Sequence, residues 1–259
     1  MMNYTGAPFK KLDTDTENKM RKKKIATSYA TRLAWALIGV TLIMLVLHWL
    51  LQYLNLVVYQ EQNGLVFELS NRLDLDDEIS VPTWYSQILL FTISIGAFMA
   101  AYLQTRQASR RLWVIIGCLG MLLSIDEGAS LHELVLQSLH NIYFLDISPT
   151  VSRNAWWLIA PLIVLSAGLL IRQAIKLLPK RTALLFILGG VLAVIGGTIV
   201  DAVAVIVPTT TFLYQGILVG FEEGLELLGS TIVLYAITDY IETRYHERLR
   251  KAVKQLKSV

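Results

Sequence analysis

The run TALLFILGGVLAVIGGTIVDAVAVI, Thr182–Ile206, holds a single charged residue, Asp201, and decides the fold class. A helix needs about 20 mostly apolar residues to cross a hydrocarbon core roughly 30 Å thick. This stretch has that length, and its lone carboxylate raises the question the rest of the chain answers. Working outward, five more runs read the same way, giving spans over residues 33–58, 86–104, 112–136, 155–171, 182–206 and 214–238. The expected fold is all-α: a six-span transmembrane helix bundle over residues 33–238, between basic cytoplasmic tails at 1–32 and 239–259. The first 24 residues are polar and basic and are not expected to act as a cleavable signal peptide.

Charge sets the expected orientation. Of the 23 Lys and Arg residues, all but Arg72 and Arg153 fall in the tails or in the second-to-third and fourth-to-fifth connections. Cationic loops stay on the cytoplasmic side, so both termini are expected there. A net charge of +3 is too mild for a nucleic-acid partner. The single cysteine, Cys118, excludes a disulfide framework and a cysteine zinc finger.

The acids do not follow the bases. Of 20 Asp and Glu residues, seven fall inside the expected spans: Asp126, Glu127, Glu133, Asp201, Glu222, Glu223 and Glu226. A rise of ~1.5 Å per residue puts Asp126 about 22 Å from the cytoplasmic side, and Glu222 and Glu226 roughly 12–18 Å below the outer surface. At ~100° per residue, Asp126, Ser130, Glu133, Gln137 and His140 form one stripe, flanked by Glu127 and His132. Thr41, His48, Gln52 and Asn55 share a face of the first span by the same arithmetic, and Gly190 and Gly197 fall near the Asp201 face of the fifth. Small residues there let helices approach closely.

Burying a charged side chain at a bilayer centre costs about 2.5–3.5 kcal/mol. Seven carboxylates would then cost roughly 15–20 kcal/mol, beyond the ~5–15 kcal/mol net stability of an ordinary domain. No Lys or Arg lies in the spans to offset them, so a divalent cation or protons are the expected counter-charge. Asp126, Glu133, Glu222 and Glu226 are the first-choice metal ligands; His132, Asp201 and His48 are second choices. Glu127 or Glu223 is then free as general base toward a metal-bound water. Many carboxylates with few imidazoles suit Zn, Mn, Fe, Mg or Ca. The HExxH zinc pattern fails because Leu136 stands where its second His would be, and the Glu-x-x-His signature of helical di-iron sites is missing.

Other features read as structural. Asp74, Asp76, Asp77 and Glu78 look like a solvated face, since the stretch lacks the glycine and final Glu of an EF-hand. Pro82, Trp84 and Tyr85, like Trp156 and Trp157, read as interfacial anchors. Glycines 189, 190, 196 and 197 read as packing residues. There is no P-loop and no G-x-S-x-G elbow.

The blocks DEISVPTWYS (Asp77–Ser86), LSIDEGASLHE (Leu123–Glu133) and FEEGLELLG (Phe221–Gly229) together resemble a group of small bacterial multipass membrane proteins with no assigned activity. The resemblance covers most of the chain from the second span onward. It implies a bacterial inner (plasma) membrane protein and treats the acidic blocks as one site, and it supplies no substrate. The leading expectation is an integral membrane protein with a metal site in a periplasmic-side cavity, acting on a membrane lipid or lipid-linked substrate. Whether the site is catalytic stays open at this point. The alternatives are a proton- or cation-coupled transporter using the same acids, and a non-catalytic assembly or sensor subunit.

Overall fold

The structure, a computed structural model, describes residues 28–131, 134, 160–200, 203 and 207–256. Seven α-helices and three π-helical turns make up these residues, and no strand occurs among them. The helices are α1 (Tyr29–Tyr53), α2 (Gly64–Arg72), α3 (Val81–Tyr102), α4 (Gln107–Ala129), α5 (Ala160–Leu177), α6 (Lys180–Val194) and α7 (Val219–Leu256). The π turns are π1 (Leu54–Val58) after α1, π2 (Ile195–Val200) after α6 and π3 (Leu213–Leu218) before α7.

The chain is a membrane protein by length and composition. Four helical stretches are long and apolar enough to cross a bilayer: Tyr29–Val58, Val81–Tyr102, Gln107–Ala129 and Lys180–Val200. Six were expected, and four meet that standard among the described residues. The expected sixth span is helical, but Glu222, Glu223 and Glu226 interrupt its apolar run within the first eight residues of α7. Large apolar side chains of α1 and α6 point outward, Ile43 and Leu184 each more than 60% exposed. An apolar surface of that extent is the one a lipid bilayer covers.

Local sequence sets the helix ends. Ser28 caps α1, its Oγ accepting from the Thr31 amide at 3.4 Å and donating to Glu242 at 2.9 Å. Ser80 caps α3 in the same way, with Pro82 in the first turn where no amide is needed. This moves the helix start ahead of the expected 86. It also turns Tyr85 inward, where its hydroxyl donates to the Leu37 carbonyl at 3.1 Å, while Trp84 stays 71% exposed. Of the expected aromatic anchors, Trp84 faces outward and Tyr85 does not, and Trp156 and Trp157 lie outside the described residues.

Helix α4 stops sooner than expected. Ser130 adopts φ 45° and ψ 43°, the left-handed region, so the expected span 112–136 breaks at Ala129. The stripe from Asp126 through Glu133 to His140 assumed one continuous helix, and that arithmetic does not carry past Ser130.

The core is made by α7 against α6, α1 and α3, and by the close α3–α4 pair. Trp113, fully buried, packs on Phe186 and Tyr240, with ring centroids 5.7 and 5.0 Å away. Gly120 lies against the backbone of Ser94, whose hydroxyl donates to the Gly117 carbonyl at 2.7 Å. Gly189 and Gly229 meet where α6 crosses α7.

The contacts define two ends. At one, Glu242 meets Ser28, the Tyr240 hydroxyl donates to Gln104, Arg248 donates to the Leu103 carbonyl, and Arg181 reaches Tyr235 and Asp239. At the other lie the last turns of α1 and α4, the first turns of α3 and α7, and the loop between α2 and α3. All three π turns flank this second end. A π turn widens the helix and is frequent at functional sites.

Candidate functional site

The polar face of α1 points inward as its spacing requires. Thr41, His48, Gln52 and Asn55 are each less than 5% exposed. His48 and Gln52 meet a residue read from the sequence as solvated, Asp74, while the Thr41 hydroxyl lies 3.4 Å from that of Tyr85. Asp74 Oδ2 accepts from Gln52 Nε2 at 2.9 Å, and its Oδ1 lies 3.5 Å from His48 Nδ1. The Leu75 amide donates to that same Nδ1 at 3.3 Å, and the Asp76 amide donates to Asp74 Oδ1 at 3.2 Å. Because Nδ1 accepts, the neutral ring carries its proton on Nε2. Asp76, Asp77 and Glu78 are exposed, as the solvated reading expects.

Burial holds the Asp74 carboxyl above its usual range, offset in part by His48 and by the two backbone amides. Asp77 on the same loop adds to the upward shift. A raised carboxyl favours the protonated form in the fold, so its contribution is complete below about pH 4, the ordinary carboxylate value. It is lost as pH rises through the raised value. Asp74→Asn keeps an acceptor for Gln52 and removes the charge. Melting curves between pH 4 and 8 are expected to show the variant gaining on the wild type as pH rises. Parallel curves would show that Asp74 titrates as an ordinary surface group.

Two expected carboxylates meet. Glu127, in the last turn of α4, and Glu223, in the first turns of α7, line one narrow crevice with Leu75, Pro82, Thr83, Ser86 and Leu227. Thr83 is fixed there by donating to the Asp77 carbonyl at 2.6 Å. Among the described residues, no Lys or Arg lines the crevice. These are the two residues assigned to general-base work.

Glu222 and Glu226 pack on π2. A Cβ on Gly196 would come within 2.5 Å of the Glu222 carbonyl and 3.2 Å of Glu226 Cγ, and one on Gly197 would strike Glu226 Oε1. Gly190, placed by helical arithmetic on the same face as Gly197, has open space around it. The π turn starting at Ile195 changes the rotation per residue, so an α-helical register does not run from Gly190 to Gly197.

Asp126, Glu222 and Glu226 are half-buried and all engaged by neighbours. Among the described residues, no group of three or more His, Cys, Asp or Glu side chains is gathered closely enough to hold a metal ion. His132, Glu133 and Asp201 lie outside the described residues.

The profile of one family, Domain of unknown function (DUF8692), matches residues 35–240. The chain belongs to the DUF8692 family. The matched region runs from α1 into α7 and contains every residue of the site. No curated protein and no solved structure matches the chain.

Asp74, His48 and Gln52 carry the polar cluster, and Asp74 was not foreseen as part of a site. A signal existed: three polar residues spaced for the inner face of a membrane helix require a polar partner. The nearest carboxylates after α1 and α2 begin with Asp74.

Proposed function

We propose that this protein is a six-span inner-membrane protein with both termini cytoplasmic, and that its acidic end binds a divalent metal ion for an enzyme acting on a lipid or lipid-linked substrate. Clustered Arg at the end opposite the acids, Arg181, Arg244 and Arg248 among them, supports that orientation. The observation that carries the reading is the Glu127–Glu223 crevice, two carboxylates from different helices with no cationic side chain lining it among the described residues. At an effective dielectric of ~20, two like charges about 5 Å apart repel by roughly 3 kcal/mol. A cation removes that repulsion.

Asp126, Glu222 and Glu226 are the proposed ligands from the described chain, with Glu133, His132 and Asp201 completing the set. His48 is committed to Asp74 and Leu75 and is left out. Carboxylate-rich sets of this kind suit Mn, Fe, Mg, Ca or Zn. Glu127 or Glu223 accepts the proton from the attacking water.

Elemental analysis of the detergent-purified protein tests this beside an Asp126→Asn, Glu222→Gln variant. About one equivalent of metal in the wild type, lost in the variant, is the expected result. A metal-free wild type that no divalent ion stabilises against heat would sink the reading.

A second reading has its own support, since no three-ligand group forms among the described residues. The Glu127–Glu223 pair then shares a proton in a proton- or cation-coupled transporter. Cation uptake into proteoliposomes that is lost in Glu223→Gln would favour it.

A further inference from the structure

Three polar atoms on the inner face of α1 and its π1 continuation are buried without a hydrogen-bond partner: His48 Nε2, Gln52 Oε1 and Asn55 Oδ1. Their residues are 1%, 2% and 4% exposed. An unpartnered buried polar group costs about 1–3 kcal/mol. Three would cost roughly 3–9 kcal/mol, much of the net stability of a domain. Something must partner them.

The chemistry of the three selects the partner. His48 Nε2 carries a proton and donates, because the Leu75 amide occupies Nδ1. The two amide oxygens accept. A bare metal cation would meet the oxygens and face the imidazole N–H. An anion would meet the N–H and face the oxygens. A ligand that both donates and accepts serves all three, and the smallest is water. Asn55 lies in π1, which continues α1, and the backbone of Gln215 and Gly216 in π3 faces the His48 ring without completing a hydrogen bond to Nε2. Trp49, the next residue, is held against Gly220 and stands outside this face.

The position matters as much as the composition. Leu75 donates its amide to His48 on one side, and its side chain lines the Glu127–Glu223 crevice on the other. The polar pocket and the crevice are thus back to back across one residue, 4% exposed.

We propose that His48, Gln52 and Asn55 bind a small cluster of water within the helix bundle, walled from the acid crevice by Leu75. This hydration does not rest on the function proposed above.

Hydroxyl-radical footprinting of the full-length protein in detergent, read by mass spectrometry, tests it. X-ray pulses generate radicals from bound water, so a buried side chain is labelled when water touches it. Each residue is normalised to its own rate in the unfolded chain, with Leu89 and Leu234, each 3% exposed, as dry references. His48 is expected to be labelled an order of magnitude faster than these. Gln52→Leu with Asn55→Leu is expected to bring His48 to the dry level, and Asn55→Leu alone stands in if the pair does not fold. Wild-type His48 at the dry level overturns the proposal, as does labelling that persists in the folded variant. Metal content and heat stability with divalent ions are measured on the same samples: a labelled His48 in a metal-free protein that no divalent ion stabilises sinks the metal reading and leaves the hydration standing.

Discussion

Gly189→Leu is expected to lose the native bundle, or to retain it with a stability loss at or above the ~3 kcal/mol upper end of ordinary overpacking. A Cβ at Gly189 would sit 2.6 Å from the Gly229 carbonyl and 2.8 Å from Val233 Cγ2, and a Cβ at Gly229 would sit 2.5 Å from the Gly189 carbonyl. The obstruction on both sides includes backbone, so no rotamer change relieves it. The helices must separate, and Gly196 against the Glu222 carbonyl separates with them. Helix association in a bilayer depends on such close packing, because lipid tails are as apolar as the side chains they replace. Gly190→Ala is the control. Nothing lies within 4 Å of its added methyl, and the change is expected to be neutral or to stabilise by up to about 1 kcal/mol through helix propensity. Circular-dichroism melts and gel filtration in detergent would separate the two. Equal melts for the two variants would show that α6 and α7 do not cross at these glycines.

This pair of glycines shows how far the sequence is legible. Small residues in an apolar run indicate close packing, and Gly189 and Gly196 pack closely. Which glycine faces a neighbour depends on helix phase, and the π turn at Ile195 resets that phase without a residue type that announces it. The face of α1 reads correctly because α1 is regular from Tyr29 to Tyr53, so Thr41, His48 and Gln52 keep their spacing. Asp74 is illegible for the opposite reason. It lies in a loop, where no periodicity fixes direction, among acids that do face solvent. The break at Ser130 is hidden in the same way, since a non-glycine residue seldom takes the left-handed region and nothing in a serine announces that this one does. Apolar runs thus locate the helices and the acidic end, while loops and π turns decide which acids meet.

The Glu127→Gln, Glu223→Gln double variant is expected to reverse the order of stabilities between metal-free and metal-loaded protein. With chelator present, the wild-type crevice holds two carboxylates on facing helices and, among the described residues, no cationic lining residue. Replacing both with amides removes their repulsion at nearly constant volume, for a gain of roughly 1–2 kcal/mol, given that both residues are only half-buried. With a divalent ion at 100 times its dissociation constant, the wild type gains about 2.7 kcal/mol by mass action. The variant gains far less, because each lost negative charge near the ion weakens binding by about tenfold. The melting temperature of the variant should therefore exceed that of the wild type in chelator and fall below it in metal. A variant that is more stable under both conditions would indicate a pair of acids relieved by protons, and would move the transporter reading ahead. A variant less stable under both would mean that the carboxylates are held by hydrogen bonds the amides cannot replace, and that the crevice is part of the bundle's scaffold. The crossing of the two orders is the signature that belongs to a bound cation, because neither proton sharing nor structural hydrogen bonding ties the sign of the difference to a divalent ion.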